Sequence, residues 1–121
     1  MSKIKINTTI KNSQNIHNFI GKGIKKEKEI IYQEDELQTK ITFKDPLTIE
    51  RKGKYYLKLN LKENQTLKGI YITEYGEFQI QATAIKINVK EENINIIYKL
   101  SINENYVDTF EYNLKISIDT K

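Results

Sequence analysis

The feature that most constrains the fold of this chain is the alternation of side chains in residues 69–84. Tyr71, Thr73 and Tyr75 share one parity and alternate with isoleucines, and a corner at Tyr75-Gly76 separates them from a second alternating segment. A period of two residues is typical of strands that have one buried face. The segment therefore predicts two antiparallel strands joined by a tight turn.

The same period continues along almost the whole chain, with polar or glycine-containing turns between the segments. The alternating segments are residues 4–10, 16–24, 29–33, 37–43, 47–51, 55–61, 70–75, 78–87, 94–102 and 110–118. Each has one apolar face, and no segment shows a clear helical period. We therefore predict an all-β fold, an antiparallel closed or nearly closed β-barrel of about 8–10 strands, because closure leaves no unpaired edge. A two-sheet sandwich is the alternative.

A change of parity predicts where the barrel bends. Between Phe78 and Ala84 the apolar residues are even-numbered, whereas Ile85 and Ile87 are odd-numbered. One extra residue at this point implies a β-bulge, which curves a sheet toward closure.

Length and composition predict one domain that spans residues 1–121 and has no cysteine chemistry. The first residues alternate charge with isoleucine, so they do not resemble a signal peptide. No apolar segment approaches the ~20 residues that a membrane helix requires. We therefore expect a soluble cytoplasmic protein without a membrane partner.

The net charge of +4 comes almost entirely from lysine. Of the 20 basic residues, Arg51 is the only arginine. Isoleucine, lysine, asparagine, glutamate and tyrosine are all encoded by A/T-rich codons, so genome composition accounts for the excess of lysine. Nucleic-acid recognition favours arginine and aromatic platforms in basic grooves. We therefore expect nucleic-acid binding to be weak at most.

Residue types that carry catalysis and metal binding are scarce. His17 is the only histidine, which excludes histidine pairs and multi-histidine metal sites, and we expect it on a strand surface. Glu34, Asp35 and Glu36 predict a solvated turn, since consecutive residues at a strand end point to opposite faces. The chain lacks a Gly-x-Ser-x-Gly elbow and a phosphate-binding glycine loop. We predict no catalytic residue, no metal and no cofactor, and therefore a protein that is not an enzyme.

Three motifs in the second half of the chain support a resemblance to a known family. They are Arg51-x-Gly53, the Tyr71-x-Thr-x-Tyr-Gly76 corner and the strand Ile94-x-Ile-x-Tyr-Lys-Leu100. In this order and spacing the chain resembles the YwiB family of small bacterial proteins over residues 47–118, and in the first 45 residues the resemblance rests on strand spacing. Glu74 stands where a proline often precedes the aromatic residue of the corner. The resemblance implies a calycin-like barrel of the lipocalin superfamily, whose members bind ligands, and it implies no named activity.

Four residues are candidates for ligand binding: Arg51, Tyr71, Thr73 and Tyr75. Tyrosine combines an apolar ring with a polar tip and suits a ligand cavity, although the eight tyrosines also suit barrel packing. Arg51 has the parity of its apolar neighbours Leu47 and Ile49. It is therefore either a barrel-end residue that reaches solvent or a buried cation that requires an anionic partner.

These observations leave three functions open. The first is non-enzymatic binding of a small, partly apolar ligand in or at the mouth of the barrel, which predicts an internal cavity of roughly 300 Å³ or more. The second is a protein-interaction module, such as a homodimer, with a filled barrel. The third is weak binding of single-stranded nucleic acid on the barrel surface.

Overall fold

The chain forms a closed antiparallel β-barrel of ten strands in the computed structural model, which describes residues 1–119. The strands are β1 (Ser2–Lys11), β2 (Ile16–Lys26), β3 (Glu29–Glu34), β4 (Leu37–Thr42), β5 (Leu47–Lys52), β6 (Tyr56–Leu61), β7 (Thr66–Thr73), β8 (Gly76–Val89), β9 (Asn93–Ile102) and β10 (Asn105–Ile118). Each strand pairs with its neighbours in sequence, and β1 pairs with β10 to close the barrel. The predicted closed barrel is confirmed, and the sandwich alternative is wrong.

Simple up-and-down connectivity gives the barrel two distinct ends. The turns after β1, β3, β5, β7 and β9 lie at one end, which we call the mouth, and the other turns lie at the opposite end, the floor. Gly76, with φ of 128°, begins β8 at the mouth, where the predicted Tyr75-Gly76 corner is observed. Glycine suits this position because φ in this range is strained for other residues.

Aliphatic side chains fill the floor half of the interior. The ones that are at most 2% exposed are Ile4, Ile6, Ile30, Ile41, Ile49, Leu59, Leu61, Ile80, Ala82, Ala84, Ile94, Ile96 and Leu114. They come from eight of the ten strands, all except β2 and β7, and form one core. Burial of this much apolar surface is the main force that favours the folded barrel.

The bulge predicted from the change of parity is confirmed. The register between β8 and β9 shifts between Ala84 and Lys86, and Ile85 is 45% exposed where it leaves the interior pattern. A second register shift, between Tyr106 and Asp108 in β10, was not predicted, because this stretch has no apolar alternation to interrupt.

The seam between β2 and β3 is short. Only the four residues Gly23–Lys26 of β2 pair with β3. Strand β2 has eleven residues and therefore extends past the end of β3. Residues 16–22 therefore pair with β1 alone.

No helix in the described part of the chain is long and apolar enough to cross a membrane.

Candidate ligand-binding site at the barrel mouth

Arg51 points into the barrel, one layer above the aliphatic floor. In β5 it follows the buried residues Leu47 and Ile49 on the same face, and it lies opposite Thr39 of β4 and Leu57 of β6. Its guanidinium carbon lies 5.8 Å from the centre of the Tyr112 ring. The structure therefore assigns Arg51 to the interior and not to an outer face of the barrel.

Four tyrosines are near enough to the guanidinium to influence its charge, and we call them the tyrosine cluster: Tyr32, Tyr55, Tyr98 and Tyr112. Tyr32, Tyr98 and Tyr112 are buried, and the hydroxyls of Tyr32 and Tyr112 hydrogen-bond each other across the barrel. On its own strand, each of these three tyrosines has a buried aliphatic residue two positions nearer the floor. These residues are Ile30, Ile96 and Leu114. The cluster thus forms the layer between the core and the mouth.

Aromatic contacts extend this layer toward the rim. Tyr32 stacks on Phe19 of β2 with ring centres 5.8 Å apart, and Tyr98 stacks on Phe110 of β10 at 5.4 Å. Tyr55 packs edge-on against Tyr71 with ring centres 5.8 Å apart. Offset and edge-to-face arrangements of this kind are favourable for aromatic rings. The mouth is therefore lined by rings on several sides of Arg51.

The positive charge of Arg51 has no counter-charge among residues 1–119. None of the ion pairs in this range includes Arg51, and its guanidinium donates no hydrogen bond there. Every fully buried side-chain nitrogen or oxygen in the same range has a partner. The unpaired guanidinium nitrogens must therefore remain in contact with space that solvent can reach, although most of the side chain is enclosed.

The ionisation states follow from burial and from the mutual influence of these groups. Burial raises the pKa of Tyr98 to about 12, and the nearby charge of Arg51 acts in the opposite direction. Burial also raises the pKa of Tyr112 well above 10.0, and Tyr32 adds to the effect. For Arg51, burial alone would lower the pKa, but the neighbouring tyrosines raise it further than burial lowers it. At neutral pH Tyr98 and Tyr112 are consequently neutral beside the charged Arg51.

The structure brings only part of the predicted set together. Tyr71 is half-buried and lies two strands from Arg51 at the same level, because Leu57 pairs with both residues. Thr73 is at the rim, where its Oγ1 accepts a hydrogen bond of 3.0 Å from the backbone nitrogen of Tyr75. Tyr75 itself is 85% exposed in the turn and lies outside the layer around Arg51. The sequence did not single out Tyr32, Tyr98 and Tyr112, although all three share the apolar parity of their strands.

A side-chain hydrogen bond at the rim joins β2 and β3 beyond the point where their backbone pairing stops. His17 Nε2 of β2 lies 2.6 Å from Oε2 of Glu34 at the end of β3. His17 is on the surface, as predicted, with 58% of its side chain exposed. Glu34 lies next to the turn that was predicted from the acidic residues, and Asp35 has a positive φ of 53° there. Residues 1–119 contain no group of three or more potential metal ligands.

Grooves open at both ends of the barrel, and one of about 410 Å³ at the floor end is lined in part by Ile4 and Ile116. A second groove, of about 440 Å³, borders the mouth where the β5–β6 turn approaches the end of β7, and its lining includes Lys52, Lys54, Tyr55 and Thr73. Tyr55 therefore contacts both this groove and the Arg51 layer. Because aliphatic side chains occupy the floor half, the accessible part of the candidate site is its mouth.

Comparison with known proteins gives a family and a fold. A family model described as a domain of unknown function (DUF1934) matches residues 4–116. The crystal structure of the ywiB protein from Bacillus subtilis is similar, with a TM-score of 0.60 and 12% sequence identity, over 95% of this chain and 90% of that one. None of the curated protein sequences compared with the chain matches it. The resemblance inferred from the sequence is thus confirmed, and the chain belongs to the DUF1934 family, with a YwiB-like barrel.

Proposed function

We propose that this protein binds a small, partly apolar anion at the mouth of its barrel. The observation that carries this proposal is Arg51, a largely enclosed cation without a carboxylate partner among the described residues. An uncompensated charge away from bulk water costs free energy, and an acidic ligand would remove that cost. Arginine also offers a planar set of donors that fits a carboxylate or a phosphate.

The surroundings of Arg51 support the apolar half of the ligand. The tyrosine cluster and Tyr71 present rings with hydroxyl tips, which pack against apolar groups and donate hydrogen bonds at the same time. Lys52 and Lys54 at the adjoining groove add positive charge at the entrance. A ligand with an acidic group near Arg51 and a hydrocarbon or aromatic body toward the rim matches this distribution.

Binding without catalysis is the role that fits these groups. The phenols of Tyr98 and Tyr112 hold their protons because their pKa values are raised, so neither is a base at neutral pH. The absence of enzymatic activity and a cytoplasmic location stay predictions from the sequence. We do not propose nucleic-acid binding, because the single arginine is inside the barrel and not on a surface groove.

A pair of dyes tests the proposal. Anilinonaphthalene sulfonate is an aromatic anion, and phenylnaphthylamine has a similar ring system without the charge. We expect the anion to bind the wild-type protein at least tenfold more tightly, since a charged hydrogen bond contributes about 1.5–3 kcal/mol. Arg51→Met should abolish this preference, and Lys99→Met, which removes an exposed charge on β9, should retain it. Equal binding of both dyes, or equal effects of the two substitutions, would refute an anion site at Arg51.

A further inference from the structure

The part of β2 beyond the short seam has an open edge. Residues 16–22 pair with β1 on one side, and the register with β3 begins only at Gly23. In an otherwise closed barrel, this is a place where backbone groups can accept a further strand.

The hydrogen-bond pattern identifies which backbone groups face the open side. The ladder between β1 and β2 starts with the bond from Asn12 N to Asn15 O, 3.0 Å long. Hydrogen-bonded pairs recur at every second residue of an antiparallel ladder, so His17 and Phe19 direct their backbone groups toward β1. The backbone groups of Ile16, Asn18 and Ile20 therefore point away from β1, toward the open edge.

The side chains of the same residues lack the usual protection of an edge strand. Ile16 is 63% exposed and Ile20 is 77% exposed on the outer face. Natural edges are commonly shielded by lysine, proline or a bulge, and residues 16–20 contain none of these. Charged residues make up 30% of the chain, yet this segment has no lysine, arginine, aspartate or glutamate.

We propose that residues 16–20 join two copies of this chain through antiparallel pairing of β2 with β2, with the two-fold axis at Asn18. The segment has the same pattern in both directions, Ile-x-Asn-x-Ile. When Asn18 pairs with Asn18 of the second copy, Ile16 of each copy lies opposite Ile20 of the other copy. All three aligned positions are those whose backbone groups face the open edge.

A second copy fits this edge for reasons of symmetry and charge. A two-fold interface requires a surface that is complementary to itself, and the palindromic pattern provides one. The net charge of +4 makes two copies repel, so an uncharged segment is where they can approach most closely. Thr9 Oγ1 donates a hydrogen bond of 2.9 Å to Oδ1 of Asn18, which fixes this amide and leaves its N–H groups to donate to the second copy.

The interface is small, so the dimer should be reversible. A contact along one strand is below the ~1,200 Å² typical of stable complexes. Register 16–20 also stops short of Gly21, which is level with Glu34, so the backbone of β3 does not lie beside the paired residues. The Glu34 side chain reaches His17, whose side chain is on the opposite face of β2 from Ile16 and Ile20. The proposal is independent of the ligand site at Arg51.

Sedimentation equilibrium over a range of concentrations tests this interface. We expect a monomer–dimer equilibrium for the wild type and at least a tenfold weaker association for Ile20→Lys, which places a charge against an isoleucine in both copies. Ile72→Lys is the matched control, because Ile72 is 39% exposed but pairs on both sides, with Tyr56 of β6 and Glu77 of β8. A wild type that stays monomeric at millimolar concentration, or equal loss of association in both variants, would overturn the proposal.

Cysteine cross-linking tests the register separately from folding. The chain has no cysteine, so each introduced thiol is unique. At the two-fold axis, paired Cα atoms would be about 5.5 Å apart, which is within the range for a disulfide. Asn18→Cys should form a covalent dimer under mild oxidation, and Ile20→Cys should not, because its equivalent lies about four residues along the partner strand. Faster cross-linking through position 20 than through position 18 would refute this register.

Discussion

Arg51 and Tyr112 meet inside the barrel, with the guanidinium carbon 5.8 Å from the ring centre. The contact is a cation–π interaction, which contributes about 0.5–2 kcal/mol and does not neutralise the charge. The closest favourable neighbours of this cation are therefore neutral rings. We interpret this arrangement as a site that is complete only when an anion is bound.

Removal of the charge should not destabilise the protein. We expect Arg51→Met to leave the free energy of unfolding unchanged or to raise it by about 1 kcal/mol, because an unpaired enclosed charge costs more than its ring contact returns. Ile49→Ala, two residues earlier on the same face, should cost about 2–5 kcal/mol because it leaves a cavity in the floor. Urea unfolding of both variants measures the difference. A loss of more than about 2 kcal/mol for Arg51→Met would identify a structural role for the guanidinium.

The hydrogen bond between Tyr32 and Tyr112 should couple these two positions. Either single phenylalanine substitution leaves one buried hydroxyl without its partner, which costs about 1–3 kcal/mol. The double substitution removes both hydroxyls and should cost less than the sum of the single ones. A double-mutant cycle in denaturant measures the coupling. Additive effects would show that the two hydroxyls do not depend on each other.

Alkaline pH should destabilise the barrel through its buried phenols. The pKa of Tyr98 is raised from 10.0 to about 12 in the folded protein, so the folded state holds its proton more tightly than the unfolded state. The stability from this group is complete below pH 10 and is lost as the pH rises through about 12. Tyr98→Phe should flatten the decrease in unfolding free energy above pH 10, whereas Tyr75→Phe, at an exposed position, should leave it unchanged. Identical profiles for all three proteins would contradict this assignment.

Two glycines of β2 should differ in their tolerance of alanine. A Cβ atom on Gly23 would lie 2.7 Å from the carbonyl oxygen of Ile31, which the seam holds in place. A Cβ atom on Gly21 would meet the ring of Phe19 at 2.4 Å, and a side chain can move aside. We expect Gly23→Ala to cost about 1–3 kcal/mol and Gly21→Ala to cost less, in thermal or denaturant unfolding. The reverse order would mean that the Phe19 stack, and not the seam, limits the packing of β2.

The strands and their inner faces could be predicted because these properties are local. The alternation that ends at Ala84 and resumes at Ile87 locates a bulge without any knowledge of the partner strand. The parity of Arg51 likewise follows from Leu47 and Ile49. Period-two patterns determine which residues of a strand share a face, and so which face of each strand lines the barrel interior.

The neighbours of Arg51 could not be predicted, because they depend on long-range register. Tyr32 and Tyr112 are 80 residues apart in sequence and meet across the interior. No local pattern places them at the level of Arg51, since one residue of shear between strands would move them away. The open edge of β2 has the same origin, because it depends on where β3 ends relative to Gly23.

The most direct test of the anion site uses the fact that Arg51 is the only arginine. Its Nε–H group gives the single arginine side-chain signal in a nitrogen–proton correlation spectrum of the labelled protein. During titration with anilinonaphthalene sulfonate, we predict that this signal shifts and saturates with the dissociation constant measured by fluorescence, and that phenylnaphthylamine leaves it in place. An Arg51 signal that does not move while the anionic dye saturates the protein would contradict the account.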